Sequence, residues 1–195
     1  MLSLSDGEEL VRLARKTVAD YIKDTKLKIK ETRFKEKRGV FVSIHTFPSS
    51  MLRGCIGYPY PIFQLGEAVQ KASISAAFND VRFQPLAEND LKKIVFEVSV
   101  LTQPKIINVN NPEEYLGKIE KGNDGLIIEH GSCSGLLLPQ VWEQIPDKEE
   151  FLTTLCWKAG LTPDYWKDKD TKIYCFRVQA FAEKEPNSKV IQTSH

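Results

Sequence analysis

Two pairs of short apolar runs, each pair joined by only a few residues, constrain this chain most. Gly39 to Phe47 alternates with a period of two. Val40, Val42 and Ile44 fall on one face, and Phe41, Ser43, His45 and Phe47 on the other, as in a strand with one buried side. Leu52-Arg53-Gly54-Cys55-Ile56-Gly57 follows after Pro48-Ser49-Ser50. A connection that short predicts a hairpin, which puts His45 on a strand adjacent to Cys55. Further on, Gly125 to His130 and Gly135 to Pro139 flank Gly131-Ser132-Cys133-Ser134, a second hairpin. Lys93 to Leu101 alternates in the same way, and Lys172 to Ala182 reads as one last strand.

Helices lie between these runs. Ser5 and Glu8 form a capping-box pair, and Leu10, Ala14, Val18, Tyr21 and Ile22 then share a helical face. A second helix is predicted from Gln64 to Phe78, with the stripe Leu65, Ala68, Val69, Ala72 and Ala76. Pro112 to Tyr115 reads as a short helix. Asp147 opens another, running to about Ala159 and ending at Gly160. Helices do not alternate strictly with strands, so the expected class is α+β, with mainly antiparallel sheets and flanking helices. No repeat, low-complexity tract or linker divides the 195 residues. One domain over 1–195 is expected, with a frayed tail over 186–195.

The net charge of +1 gives no global field for nucleic acid or an anionic membrane. Charge is nonetheless uneven. Lys23 to Arg38 holds eight basic and three acidic residues, a local +5 that leaves −4 for the remainder. One phenylalanine stands in it without aromatic company, so it reads as a solvated connection and only weakly as a nucleic-acid surface. The start of the chain turns acidic at once, unlike a signal peptide, and no apolar run could span a bilayer. Four cysteines, at 55, 133, 156 and 175, form no C-x-x-C pair. A reducing, cytoplasmic setting is expected.

The chemistry concentrates around Cys55. A glycine stands on either side of it, one adjacent and one two residues on, which signals an unusual turn or a close backbone approach. Arg53 would favour the thiolate. The competing reading is a small buried hydrophobe in a bent strand, and free cysteines are mostly of that kind. Asp80 and Arg82 supply a carboxylate and a second guanidinium, and arginine suits carboxylate or phosphate. Cys55 and Asp80 are thus the catalytic candidates, and Arg53 and Arg82 the ligand-binding ones. An ion pair fixing the loop after the helix would account for Asp80 and Arg82 equally well. His45 and Glu97 are candidate bases, each also explained as a strand residue at a surface. His130 and Cys133 are two ligands at most, so no metal is expected. Trp142, Trp157 and Trp166 read as core or wall residues. No Walker loop, G-x-G-x-x-G, G-x-S-x-G or H-E-x-x-H is present, and no cofactor is expected.

Four blocks in order resemble the AMMECR-type domain family. They are Leu52 to Gly57, then Ala76-Ala77-Phe78-Asn79-Asp80-Val81-Arg82-Phe83-Gln84-Pro85, then Val98-Ser99-Val100-Leu101-Thr102. The fourth is Gly135 to Val141, with Phe151-Leu152 and Leu155 to Leu161 behind it. With His130 and its compact tail, the chain is most similar to prokaryotic and archaeal single-domain members. The resemblance implies a two-lobed α+β domain with a cleft between a larger and a smaller lobe. It also implies MEMO-type and radical-SAM proteins as partners in a modification pathway. It delivers no reaction. The chain has no C-x-x-x-C-x-x-C cluster motif, so radical chemistry would belong to a partner. Two classes stay open: an enzyme or enzyme subunit using the motif, and a non-catalytic module binding protein or nucleic acid. The oligomeric state is not legible.

Overall fold

Nine strands, four α-helices and short 3-10 turns make up the computed structural model, which describes residues 1–26 and 28–193. The class is α+β, as the sequence predicts. The chain forms two compact units. The first is Met1–Leu101 with the described residues from Gln179 to Thr193; the second is Thr102–Val178.

In the first unit, the strands β1 (Val40–Thr46), β2 (Leu52–Tyr58), β3 (Ile94–Leu101), β8 (Val178–Glu183) and β9 (Val190–Thr193) form one sheet in the order β2-β1-β3-β8-β9. β1 pairs antiparallel with both β2 and β3. The helices α1 (Leu4–Lys23) and α2 (Leu65–Phe78) pack on one core with this sheet. Leu10, Ala14 and Val18 of α1 and the predicted stripe of α2 meet Val40, Val42, Ile44, Phe96, Val98 and Val100. The opposite set of β1, Phe41, Ser43 and His45, is only half-buried. One sheet face is thus apolar and closed, while the other carries the polar residues.

The second unit holds β4 (Lys105–Ile106), β5 (Gly125–His130), β6 (Cys133–Leu137) and β7 (Lys172–Phe176), ordered β4-β7-β5-β6 and antiparallel throughout. α3 (Glu114–Lys118) is one turn, and α4 (Lys148–Lys158) has Asp147 as its N-cap. Phe151, Leu152 and Leu155 of α4 close a core with Leu126, Ile128 and Ile173. Trp142 stacks on Phe151 at 3.7 Å and donates from Nε1 to Asp124 O. Trp142 and Trp166 are buried, but Trp157 is exposed.

Four local expectations are corrected. The first helix begins two residues early: Ser3, not Ser5, is the N-cap, and its box partner is Asp6 rather than Glu8. Arg33 also pairs with Asp6, anchoring that cap from a distant segment. The run Lys172 to Ala182 is two strands broken at Arg177, whose N–H and C=O turn to Thr102 instead of continuing the ladder. The second hairpin turn is Gly131-Ser132, with Cys133 already in β6 opposite His130. The tail read as frayed holds β9 as far as Thr193, paired with β8, with Val190 buried; Ser194 and His195 lie outside the described residues.

Candidate functional site

Cys55 lies in the middle of β2, an edge strand with β1 on one side only. Ser43 stands directly opposite it. The Cys55 N–H points away from β1 and donates to Asp80 Oδ2 at 2.9 Å. That makes Ser43 and Cys55 a pair without ladder hydrogen bonds, the kind in which side chains approach most closely. Ser43 Oγ accordingly donates to Cys55 Sγ at 3.2 Å. The thiol is half-buried.

The free edge of β2 is occupied at Cys55 by two side chains. Asp80 accepts from the Cys55 N–H, and Arg82 Nη2 donates to the Cys55 carbonyl at 3.3 Å. Arg82 also clamps Asp80 in two places, Nε to Oδ1 at 2.9 Å and Nη2 to Oδ2 at 2.7 Å. This guanidinium, together with the Cys55 N–H, holds the Asp80 carboxyl far below the usual carboxylate range, although burial works against it. Asp80 is buried while Arg82 reaches into solvent. The pair therefore does what a neighbouring strand would do for Cys55.

The two glycines have separate reasons. A Cβ on Gly54 would lie 2.1 Å from the carbonyl oxygen of Ala76 in α2, so only glycine lets this strand and helix approach. A Cβ on Gly57 would lie 2.4 Å from the ring of Phe41, which covers that position across the pair. Arg53 is the extra residue of a bulge. Ile44 pairs with Gly54 and His45 with Leu52, so Arg53 is skipped. Bulges re-aim side chains, and this one leaves Arg53 Nη1 sealed from solvent with no hydrogen-bond partner among the described residues.

The register of the pair decides the fate of His45. It pairs with Leu52, and Ser43 takes the place beside Cys55 that the hairpin suggested for a base. Sequence reasoning overlooked Ser43, although its place between Phe41 and His45 already set it on the Cys55-facing side. Glu97 stands opposite Ser43 on β3, so Cys55, Ser43 and Glu97 form a row across three strands. Of the motif's apolar residues, Ile56 packs against the core and Leu52 is exposed. In the second unit, His130 Nδ1 lies 3.0 Å from Thr171 Oγ1 and the ring meets Tyr165 edge-on. Among the described residues no group of three or more His, Cys, Asp or Glu is placed to hold a metal.

The basic segment is partly neutralised. Lys30 pairs with Asp20, Arg33 with Asp6 and Glu9, and Lys35 with Glu31. No helix among the described residues is long and apolar enough to cross a membrane.

A family model described as AMMECR1 matches residues 11–181. The chain belongs to the AMMECR1 family. Protein MJ0810 of Methanocaldococcus jannaschii is 49% identical to it over 195 residues, covering 98% of this chain and 97% of that one. A protein of Thermococcus onnurineus is 50% identical over 194 residues, covering 94% and 93%. Among solved structures, the crystal structure of uncharacterized protein PH0010 from Pyrococcus horikoshii superposes with a TM-score of 0.81 at 46% identity, covering 97% of each chain. The first two blocks that carry the resemblance meet in space within this AMMECR1 chain. The second block supplies the Asp80–Arg82 clamp on the Cys55 of the first. Within the fourth, a Cβ on Gly135 would lie 2.7 Å from the backbone nitrogen of Ala159, so its two halves pack backbone to backbone.

Proposed function

We propose that this AMMECR1 chain is a substrate-handling component of a modification pathway shared with MEMO-type and radical-SAM partners. It would take the anionic group of a substrate, a carboxylate or phosphate, at the motif of the first unit. One observation carries the reading: on the strand that carries the Cys55 thiol, Arg53 Nη1 is buried without an acceptor among the described residues. A buried guanidinium nitrogen left unpaired is costly, and an anion is its natural complement. Asp80 is already saturated by Arg82 and the Cys55 N–H, which favours a positioning role over proton transfer. Arg82 holds the edge and extends toward solvent, where it can meet the same ligand. The four free thiols favour a reducing cytoplasmic compartment.

Competition at the thiol tests the reading. Alkylation of Cys55 by iodoacetamide is followed by mass spectrometry in native protein, with inorganic phosphate and a series of small carboxylates as probes. The expected result is slowing by at least one probe in the wild type, and no slowing in Arg53→Gln. If no probe protects Cys55, or Arg53→Gln is protected equally, the anion site is wrong. A Cys55 that reacts only on unfolding would leave the non-catalytic binding module as the reading.

A further inference from the structure

The second unit contains a hollow of about 350 Å³ between the segment after β4, the start of α3 and the loop 167–172. None of the motif residues lines it. Its floor is Ile107, Tyr115 and Thr171, all buried. Tyr115 is only 5% exposed, yet its hydroxyl makes no hydrogen bond among the described residues. The ring is covered while the hydroxyl still reaches water, so it is free to meet a ligand in the hollow.

The rim adds charge and amides. Lys167, Lys169 and Lys172 line it against one carboxylate, Asp168, an excess of two positive charges. None of the three lysines takes part in an ion pair among the described residues; Lys167 Nζ instead lies 4.8 Å from the centre of the Trp166 ring. Asn108 and Asn110 contribute side-chain amides with no partner of their own, whereas Asn111 is tied to Glu114. The contrast with the first unit is direct. A hollow of about 590 Å³ there is lined by Arg12, Arg15 and Lys16, but these pair with Glu8, Glu183 and Asp20.

We infer that the hollow of the second unit binds a small organic phosphate, a sugar or nucleoside carrying one phosphate group. The lysines meet the phosphate as point charges. Ile107 and the Tyr115 ring take the apolar side of the sugar or base, and the Tyr115 hydroxyl and the two asparagines fix its orientation. The volume lies near the lower end of the range for small-molecule sites, which suits a monophosphate.

Calorimetry on the full chain at physiological salt tests this, with AMP, ribose 5-phosphate, adenosine and inorganic phosphate as probes. Trp166 fluorescence, under Lys167, gives a second readout. AMP or ribose 5-phosphate is expected to bind saturably. Adenosine and inorganic phosphate are expected to bind at least about tenfold more weakly, since each lacks one half of the recognition. Lys169→Glu combined with Lys172→Glu should weaken binding by about tenfold or more through charge reversal on an exposed rim. Tyr115→Phe should weaken it by roughly threefold to tenfold through one lost hydrogen bond. Absence of saturable binding by both phosphorylated probes overturns the inference. So does adenosine binding as well as AMP, or binding that survives the lysine reversal. If Tyr115→Phe fails to fold, the lysine variant still decides.

Discussion

Asp80 is bound to Cys55 through the backbone and not through the thiol: the Cys55 N–H donates to Oδ2 at 2.9 Å, while Sγ faces Ser43. Asp80→Asn should therefore act on the strand first. It removes the charge that clamps Arg82 and weakens the acceptor at a buried position. The expected loss is about 1–3 kcal/mol of stability, read from urea unfolding. Cys55 should alkylate faster in the variant, because its strand edge loosens. Unchanged stability together with lost activity in any later assay would instead make Asp80 a reacting group.

The same carboxylate predicts an acid sensitivity. Its pKa in the folded protein lies below the value near 3.9 of an unfolded aspartate, so on acidification the unfolded chain takes up the proton first. The contribution is full above about pH 5 and is lost as pH falls through about 4 toward the folded-state value. Unfolding midpoints measured from pH 6 down to pH 3 should fall more steeply for the wild type than for Asp80→Asn. Parallel curves would show that other acids dominate.

Two glycine substitutions should move in opposite directions. Gly54→Ala forces a methyl against the Ala76 carbonyl, a backbone atom that cannot swing away, and should cost about 3 kcal/mol. Gly117→Ala, in α3, meets nothing within 4 Å and should gain roughly 0.5–1 kcal/mol from reduced freedom of the unfolded chain. Thermal unfolding of the two variants beside the wild type checks both signs.

The two units are expected to unfold together. The chain leaves the first unit at Leu101, the end of β3, and re-enters it at Gln179, inside β8, so both crossings fall at strands. Melting followed by far-ultraviolet circular dichroism and by tryptophan fluorescence should give coincident curves, although all three tryptophans lie in the second unit. Separate transitions, or two stable fragments on limited proteolysis, would show independent folding.

Most elements could be read from periodicity because one face of each is buried. Val40, Val42 and Ile44, and the stripe of α2, carry the pattern that packing then uses. The misread features depend on partners distant in sequence. Ser3 and Ser5 each precede an acid by three, and the pairing of Arg33 with Asp6, 27 residues away, reinforces the earlier cap. The alternation of Lys172 to Ala182 runs straight through Arg177, where Thr102 takes over both backbone groups. At the site, the residue types around Cys55 were legible, but their arrangement was not. The pairing register puts Ser43 and not His45 opposite Cys55, and the extra residue at Arg53 moves His45 from Arg53 to Leu52; neither the register nor a bulge is written in the composition of a strand. Tyr115 reads as an ordinary helix residue, and only folding places it on the floor of the hollow.

The clamp on Cys55 has a further consequence, for how copies of the protein behave toward one another. An outermost strand with open amides and carbonyls is a template on which another chain can add, and sheets that offer one tend to polymerise. Here the middle of β2 is already answered by Asp80 and Arg82, so an incoming strand would first have to displace an ion pair whose carboxylate is buried. Losing that pair would do more than loosen a thiol: it would hand the sheet a sticky border, and the visible symptom would be fibrous aggregates in concentrated stocks.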